Sequence, residues 1–305
     1  MKERIESFAS ADGKSKVCAY IFESEKPKAI LQISHGMCEH IGRYRDFAEY
    51  LTGNGYIVCG NDHLGHGKTS GDGLDGYFAE KDGRIFVLKD LKKMNDYIQQ
   101  QYPNLPIILL GHSMGSFFAR WFAEVYSSSI HALILSGTGG PSMKIRFGAY
   151  LSGFLTKLYG PKYVSSFVEK AGMGSYLNKV EHPQSPHDWI SRDREIVNAY
   201  SQDSKCTFSF TVSAYHELLC VHKHVNQRAW ANKMDKKLPI LLFSGDKDPV
   251  GDYGKGVDKV YKMLLDAGLT DLTLKLYPGG RHEMLNEINR TEVYADILGW
   301  LNFHF

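Results

Sequence analysis

The sequence predicts an α/β fold with a mostly parallel, doubly wound sheet, and three observations lead to that prediction. Short apolar segments with little alternation, typical of strands buried on both faces, alternate with amphipathic segments typical of helices. Polar clusters come directly after several of the predicted strands. One strand ends in Gly111-His112-Ser113-Met114-Gly115 and leads straight into a predicted helix, which is the strand–turn–helix pattern that exposes a nucleophilic serine.

The predicted strands share one property, since each is a short and mostly apolar run that ends in a polar or glycine-rich turn. In chain order they occupy residues 16–22, 29–34, 56–59, 107–110, 132–136, 238–243 and 272–277. Polar clusters follow five of them, at residues 35–40, 62–71, 111–115, 245–250 and 279–283. Because ligands bind outside the carboxyl ends of parallel strands, we expect these clusters to converge on one site.

The predicted helices are recognised by apolar residues three and four positions apart. They occupy residues 44–53, the segment after Ser113, 84–100, 255–267 and about 291–301. The first of them ends at Gly53, in a glycine-rich stop signal. Strands that alternate with helices in this way predict a mostly parallel, doubly wound sheet.

The strand pattern stops between residues 139 and 234. Aromatic and apolar residues recur there at helical spacing, namely Phe147, Tyr150, Phe154, Leu158, Tyr163 and Phe167. We therefore divide the chain into a first part of the core at 1–138, a helical cap at 139–234 and a second part of the core at 235–305. The aromatic residues fit either the plain core of the cap or the lining of an acyl tunnel above the site.

Composition excludes several classes of function. The formal net charge of the 305 residues is +2 and no basic run occurs, which argues against nucleic-acid binding. Five scattered cysteines without a Cys-x-x-Cys pair predict neither a disulfide framework nor a zinc ribbon. The sequence contains no apolar run of about 18 residues, so we expect no membrane span. No apolar segment follows the charged N-terminus, so we expect no secretory signal. The expected location is the cytoplasm.

Ser113 is the candidate nucleophile, and a serine hydroxyl needs a base to become reactive. His282 follows the last predicted strand and therefore lies at the same edge of the sheet as Ser113. His35 is a poor second choice, because its position suits bracing of the loop after the 29–34 strand.

The base needs a carboxylate that holds its tautomer, and the loop after the 238–243 strand offers Asp246 and Asp248. We favour Asp248, because Gly245-x-x-Asp lets the loop turn before the carboxylate points inward and because Pro249 stiffens the next residue. Asp246 is expected to face solvent or to cap the loop. The chain order of serine, aspartate and histidine is that of the α/β-hydrolases.

The oxyanion that forms during acyl transfer needs two preorganised donors. The backbone N–H of Met114, directly after the nucleophile, is one candidate. The backbone N–H of Met37, in the loop after the 29–34 strand, is the other.

The sequence resembles a known family in motifs that span nearly the whole chain outside 139–234. They are His35-Gly36-Met37-Cys38-Glu39-His40 with Arg43-Tyr44, the loop 62–70, Gly111 to Ser116, Gly245 to Val250, and His282-Glu283. This combination is similar to the monoacylglycerol lipase and lysophospholipase branch of the α/β-hydrolases, a broad family that includes serine aminopeptidases. The resemblance implies an eight-stranded core, a helical cap at about 139–234 and the triad named above, and it supports Asp248 over Asp246. Cys38 departs from the small glycine or alanine that is frequent there, which predicts an altered rim of the acyl pocket.

The leading hypothesis is a serine hydrolase that cleaves lipid-like carboxylic esters, of monoacylglycerol or lysophospholipid type, through an acyl-enzyme. The alternatives are a small-ester carboxylesterase, an aminopeptidase or amidase whose cap carboxylates Glu169, Glu181 or Asp188 hold an α-ammonium group, and a non-catalytic binding protein. The expected partner is a small acyl ester, with transient contact between the cap and a membrane surface. The sequence does not determine the oligomeric state.

No cofactor and no metal is expected. Gly67-Lys68-Thr69 lacks the upstream glycine of a phosphate-binding loop, and the pair His63 and His66 has no evident third ligand. His216-Glu217 begins like a metalloprotease motif, but the second histidine is missing.

Overall fold

The computed structural model describes residues 1–70 and 73–305, so Gly71, at the end of the predicted cluster 62–71, lies outside the described residues. Eight strands form one sheet in the order β1-β2-β4-β3-β5-β6-β7-β8. Their bounds are β1 Lys2–Ala9, β2 Lys16–Glu23, β3 Ala29–Ser34, β4 Tyr56–Asn61, β5 Ile107–His112, β6 Ala132–Ser136, β7 Ile240–Gly245 and β8 Leu272–Tyr277. Strand β2 runs antiparallel to both of its neighbours, and the pairs from β4 to β8 are parallel. The predicted mostly parallel α/β sheet is confirmed.

The sequence pattern missed β1. It begins with three charged residues in a row and has a fourth at Glu6, and Ile5 is exposed on the strand. An edge strand pairs on one side only, and charges on it discourage further pairing, so β1 lacks the apolar run by which the other strands were found. Strand β7 begins at Ile240, two residues later than predicted.

Nine α-helices lie in the described part of the chain. Their bounds are α1 Arg45–Thr52, α2 Gly83–Gln101, α3 Met114–Val125, α4 Met143–Tyr159, α5 Ser166–Met173, α6 Arg194–Gln202, α7 Val212–Val225, α8 Lys255–Asp266 and α9 Arg290–His304. Helices α1 and α9 pack on one face of the sheet, while α2, α3 and α8 cover the other. Strands β3 to β7 are buried along their whole length because both faces are covered. No helix in residues 1–70 and 73–305 combines the length and the apolar character needed to cross a bilayer.

The register of the parallel strands brings their carboxyl ends into line. Ser34 at the end of β3 pairs with Gly111 in β5, and His112 pairs with Ser136 at the end of β6. Gly245 at the end of β7 pairs with Tyr277 at the end of β8. The loops that follow these strands therefore meet at one edge, as the polar clusters predicted.

Helices α4 to α7 fill the chain between β6 and β7. Arg120 of α3 holds both ends of this helical segment, since its guanidinium donates to the carbonyl of Gly139 at 3.1 Å and to the carbonyl of Val225. The Arg120 side chain is fully buried and lies over the Trp230 ring at 4.4 Å. Burial lowers the pKa of Arg120 to about 9.

The aromatic residues of this segment are not plain core. Phe147, Tyr150, Phe154, Leu158, Tyr163 and Phe167 are between 41% and 69% exposed. The helices pack instead through smaller side chains such as Ala149 and Ser152, which are buried on the opposite face of α4. The interpretation that these side chains form the plain core of the cap is therefore wrong.

Candidate active site

Ser113 occupies a strained turn between β5 and α3. Its φ of +51° lies in a region that L-residues rarely adopt, and its N–H donates to the carbonyl of Ser136 at 2.9 Å. A Cβ at Gly115 would collide with the backbone of Ser34, and one at Gly111 would lie 2.5 Å from the Gly115 carbonyl. The glycines therefore allow β3, the turn and α3 to approach closely enough to expose the serine at the apex.

His282 and Asp248 form a buried pair at the same edge of the sheet. The Nδ1 atom of His282 lies 2.9 Å from Oδ1 of Asp248, and both side chains are almost entirely shielded from solvent. Asp248 also accepts hydrogen bonds from the Ser244 hydroxyl at 3.0 Å and from the Val250 amide at 2.9 Å. With Nδ1 engaged, Nε2 is the nitrogen of His282 that is left to accept a proton.

Asp246, the other candidate acid in the sequence, has a structural role. It is half-buried, and its Oδ1 accepts the N–H of Gly279 at 2.8 Å. It therefore ties the loop after β7 to the loop after β8, and among the described residues the carboxylate that bonds the His282 ring is that of Asp248.

Ser113 and His282 approach each other around the end of β6. Ser113 bonds to Ser136 there, and the ring of His282 packs against Gly137, where a Cβ would lie 3.0 Å from the imidazole. In the described residues the Ser113 hydroxyl makes no hydrogen bond to His282. Such hydrogen bonds are often long before a substrate is bound.

The surroundings of His282 favour its protonated form. Burial opposes protonation, but the charge of Asp248 and its hydrogen bond outweigh burial, so the pKa of His282 is raised. The neighbouring ring of His112, 4.7 Å away, behaves in the opposite way. Burial and the nearby His282 lower the pKa of His112 to about 3, which leaves His282 as the group that titrates.

The loop after β3 presents one unoccupied amide between two occupied ones. The N–H of Gly36 donates to the Glu39 carboxylate, and the N–H of Cys38 donates to Nε2 of His66 at 3.3 Å. Within residues 1–70 and 73–305 neither the Met37 amide nor the Met114 amide donates to a protein acceptor. These are the two amides that the sequence predicted as oxyanion donors.

A buried ion network that the sequence did not predict joins the oxyanion loop to the histidine loop. Arg43 donates to both carboxylate oxygens of Glu283, at 2.7 and 2.6 Å, and to Glu39 at 3.2 Å. Glu39 also accepts the N–H of Gly36 and, at 2.9 Å, the hydroxyl of Tyr44. Burial favours neutral Glu283, yet the guanidinium prevails and lowers the pKa of that carboxyl to about 2. These residues lie in the motifs that carry the family resemblance, but the sequence assigned no role to the side chains of Glu39, Arg43, Tyr44 and Glu283.

The segment before α6 covers the histidine. The N–H of His282 donates to the carbonyl of Trp189 at 3.4 Å, and the N–H of Glu283 donates to the carbonyl of Ile190 at 2.7 Å. The Trp189 ring lies 5.0 Å from the imidazole, and the Tyr176 ring packs 4.8 Å from Trp189. Nothing local in the sequence marks Trp189, because its contact depends on how the helical segment folds back over the sheet edge.

A family described as serine aminopeptidase, S33, matches residues 25–289 of the chain. The chain belongs to this family.

Several related proteins align with nearly the whole chain. Monoglyceride lipase of Mus musculus is 28% identical, over 96% of this chain and 88% of that one. Monoacylglycerol lipase of Mycolicibacterium smegmatis is 29% identical, over 98% of this chain and 96% of that one. The crystal structure of a highly thermostable carboxyl esterase from Bacillus coagulans, in complex with glycerol, superposes with a TM-score of 0.93 at 32% identity, covering 99% of this chain and 98% of that one. The predicted family, the α/β-hydrolase fold and the class of enzyme, a serine ester hydrolase, are confirmed.

Three further histidines of this family member are structural. His35 accepts the His63 amide at 2.9 Å and bonds the Gly36 carbonyl at 2.8 Å, so it braces the loop as expected. His63 lies 3.0 Å from the Ser34 hydroxyl. Burial and neighbouring histidines lower the pKa of His35, and burial lowers the pKa of His63 to about 3 and that of His66 to about 4. All three rings are therefore neutral near pH 7.

The raised pKa of His282 predicts the pH profile. A base must be unprotonated to accept the serine proton, so kcat/KM should fall as pH drops through the pKa of His282. Because that pKa is raised, the acid limb should lie above the ordinary histidine value of about 6.5. Glu283→Gln removes one of the raising charges and should move the limb toward lower pH. Hydrolysis of a p-nitrophenyl ester between pH 5 and 9, with buffers of constant ionic strength, gives the measurement. A profile that stays flat through this range would contradict the assignment of His282.

Proposed function

We propose that this chain hydrolyses carboxylic esters of lipid-like substrates, of monoacylglycerol or lysophospholipid type, with Ser113, His282 and Asp248 as its catalytic triad. The observation that carries the proposal is the buried His282–Asp248 pair, 2.9 Å apart, beside the strained turn of Ser113. The similarity to a monoglyceride lipase and to a monoacylglycerol lipase supports the substrate class. The expected location in the cytoplasm stays a prediction.

The residues divide the reaction into two transfers of an acyl group. Ser113 Oγ attacks the ester carbonyl carbon while Nε2 of His282 takes the hydroxyl proton. The carbonyl oxygen becomes an oxyanion, which accepts hydrogen bonds from the backbone N–H groups of Met37 and Met114. When the C–O bond to the alcohol breaks, His282 returns the proton to the leaving oxygen and an acyl-Ser113 ester remains. Water, deprotonated by His282, then attacks this ester and releases the acid and the free serine.

Asp248 assists both steps without exchanging a proton. Its carboxylate accepts the N–H at Nδ1, which keeps the proton-accepting lone pair on Nε2 and stabilises the imidazolium that forms. The network of Arg43 with Glu39 and Glu283 holds the oxyanion loop and the histidine loop at a fixed separation.

Residues 139–234 act in this proposal as a helical cap that receives the acyl chain and meets a lipid surface. Five apolar side chains form a stripe on α4 and are between 58% and 74% exposed, namely Met143, Phe147, Tyr150, Phe154 and Leu158. Helix α4 carries exposed Lys144, Arg146 and Lys157 but no acidic residue. An exposed apolar stripe flanked by cations suits the surface of an anionic membrane.

Vesicle binding tests this role of α4. The double change Phe147→Ser and Phe154→Ser should weaken binding to anionic vesicles about tenfold or more, because each phenylalanine contributes roughly 1.5–3 kcal/mol when fully buried in apolar surroundings. Phe303→Ser is the control, since Phe303 is even more exposed than the two α4 phenylalanines but lies on α9. Wild-type binding should also weaken with salt, because the cations of α4 are screened. Equal losses for the α9 control and the α4 variant would argue against the proposal.

The alternative of an aminopeptidase finds little support in the cap carboxylates. Asp188 is fully buried and paired with Arg194 at 2.8 Å, and Glu169 accepts the Ser209 hydroxyl at 2.9 Å. Glu181 is exposed, so a substrate ammonium would gain little from it.

A substrate panel separates the two chemistries. For p-nitrophenyl esters kcat/KM should rise with acyl length by at most about fourfold per CH₂, which corresponds to about 0.8 kcal/mol for each buried group, and should then decline. Aminoacyl-p-nitroanilides should be turned over far more slowly than any of the esters. A flat profile from acetyl to long acyl esters, or a preference for the anilides, would replace the lipid-ester proposal with a small-ester or amide hydrolase.

A further inference from the structure

A second group of reactive side chains lies outside the triad, where the loop after β3 meets the turn after α6. It consists of His40, Asp203 and Cys206. One ligand atom from each residue can be chosen so that all three atoms lie within 4.8 Å of one another. No step of the ester hydrolysis described above uses these residues.

The turn after α6 holds two of the three groups in a chelating arrangement. Asp203 and Cys206 are three residues apart, and the N–H of Cys206 donates to the carbonyl of Asp203 at 2.9 Å. The Lys205 amide donates to Oδ1 of Asp203 at 2.8 Å, which leaves Oδ2 facing the cluster. Metal sites commonly place two ligands this far apart in a tight turn, because both side chains then point to the same side.

His40 reaches the cluster from the loop after β3. Its Nε2 atom lies 2.9 Å from Oδ2 of Asp203, and Cys206 lies beside them as a buried residue that is 2% exposed. The His40 and Asp203 side chains keep 20% and 36% of their surface in contact with solvent, so an ion has a path of entry and a position for water. Cys206 packs against the apolar side chains of Ile190, Val197 and Tyr200, and that packing holds its sulfur within reach of both polar groups.

The local charges do not oppose a cation. Lys205 extends away from the cluster to Asp75 at 3.2 Å. The guanidinium of Arg43, the nearest buried cation, is bound by two carboxylates, those of Glu39 and Glu283. The group thus offers one imidazole nitrogen, one carboxylate oxygen and one sulfur in a neighbourhood that carries no excess positive charge.

We propose that His40, Asp203 and Cys206 form a binding site for Zn²⁺ that pins the turn after α6 to the loop after β3. Nitrogen, oxygen and sulfur in one tetrahedral set suit zinc better than magnesium or calcium, which take oxygen ligands. Ligand atoms around tetrahedral zinc lie about 3.5 Å apart. The three ligand atoms here lie within 4.8 Å of one another, so small side-chain rotations bring them to the spacing that zinc requires. The thiol proton is released to solvent when the sulfur binds the ion, and water occupies the fourth position.

The test measures metal binding by the full-length protein after treatment with a chelator. Zn²⁺ is titrated in competition with a chromophoric chelator, and Co²⁺ reports the ligands, because sulfur coordination gives an intense near-ultraviolet charge-transfer band. One ion should bind per chain, and Zn²⁺ should raise Tm because the site exists only in the folded state.

Matched variants locate the ion. Cys206→Ser and His40→Gln should each weaken Zn²⁺ binding by about tenfold or more and abolish the rise in Tm. Cys206→Ser should also remove the Co²⁺ charge-transfer band. Cys220→Ser is the control, because Cys220 lies beside another histidine, His216, at 3.6 Å and should leave binding intact. Should Cys206→Ser fail to fold, Asp203→Asn, with a partly exposed side chain, replaces it.

Three results would overturn the proposal. They are no binding of Zn²⁺ at 100-fold molar excess, full affinity in Cys206→Ser or its replacement, and loss of binding in Cys220→Ser. None of these measurements depends on ester hydrolysis, so the zinc site and the proposed activity stand or fall separately.

Discussion

Ser113→Ala should lower kcat on p-nitrophenyl esters by about four to six orders of magnitude while the protein stays folded. Without the hydroxyl no acyl-enzyme can form, and the oxyanion amides and the binding energy of the substrate provide the remaining rate. The fold should persist because the change removes one partly exposed oxygen, and the backbone bond from residue 113 to Ser136 is kept. Circular dichroism and Tm report the fold, and labelling by a fluorophosphonate should be lost together with activity.

Ser116→Ala is the matched control for the nucleophile. Ser116 lies in the first turn of the same helix, and its buried hydroxyl donates to the Ser113 carbonyl at 2.6 Å and lies 2.9 Å from the Thr138 hydroxyl. Its loss should leave labelling intact and cost about tenfold in rate at most, through a small shift of the turn. If labelling survives in Ser113→Ala and disappears in Ser116→Ala, the nucleophile is Ser116 and the assignment of Ser113 is wrong.

Asp248→Asn should cost about 10⁴ in kcat, the second-largest effect that we expect. An asparagine fills the same space, but its amide cannot hold the Nδ1 proton of His282 as a carboxylate does, so the imidazole can adopt the wrong tautomer. The charge of Asp248 also raises the pKa of His282, so the acid limb of the residual activity should shift to lower pH.

Asp246→Asn separates the two acids of the same loop. Asp246 accepts only the Gly279 amide among the described residues, and asparagine can accept that bond as well. We expect at most a few-fold loss of kcat and an unchanged pH profile. If the two substitutions exchange their effects, Asp246 is the orienting acid and the serine hydrolase mechanism remains.

Much of the fold could be predicted from sequence because the relevant physics is local. A strand buried on both faces must be apolar along its length, and this made β3 to β7 recognisable. The sharp turn at Ser113 requires glycine at 111 and 115, since side chains there would collide with neighbouring backbone. Strand β1 escaped the same reasoning because an edge strand needs no apolar run.

The candidate triad could also be proposed from sequence, because the topology of a parallel sheet constrains where loops meet. Residues that follow successive parallel strands share one edge, so Ser113, Asp248 and His282 were expected near one another before their distances were known. The choice between Asp246 and Asp248 depended on the direction of a single carboxylate. The Asp248 contact with His282, at 2.9 Å, is a tertiary observation.

The sequence by itself determined the sheet, the serine turn and the edge at which the polar loops gather, because periodicity and glycine placement act over a few residues. Only the tertiary structure decided which side chains meet across long separations. Arg43 bridges Glu39 and Glu283, and His40 lies beside Asp203, although 240 and 163 residues separate Arg43 from Glu283 and His40 from Asp203. The exposed aromatic stripe of α4 belongs to this second group, since helical spacing shows which residues share a face but not whether that face is covered. The pairing of distant side chains and the covering of a helix face depend on how the chain assembles, and no local pattern encodes them.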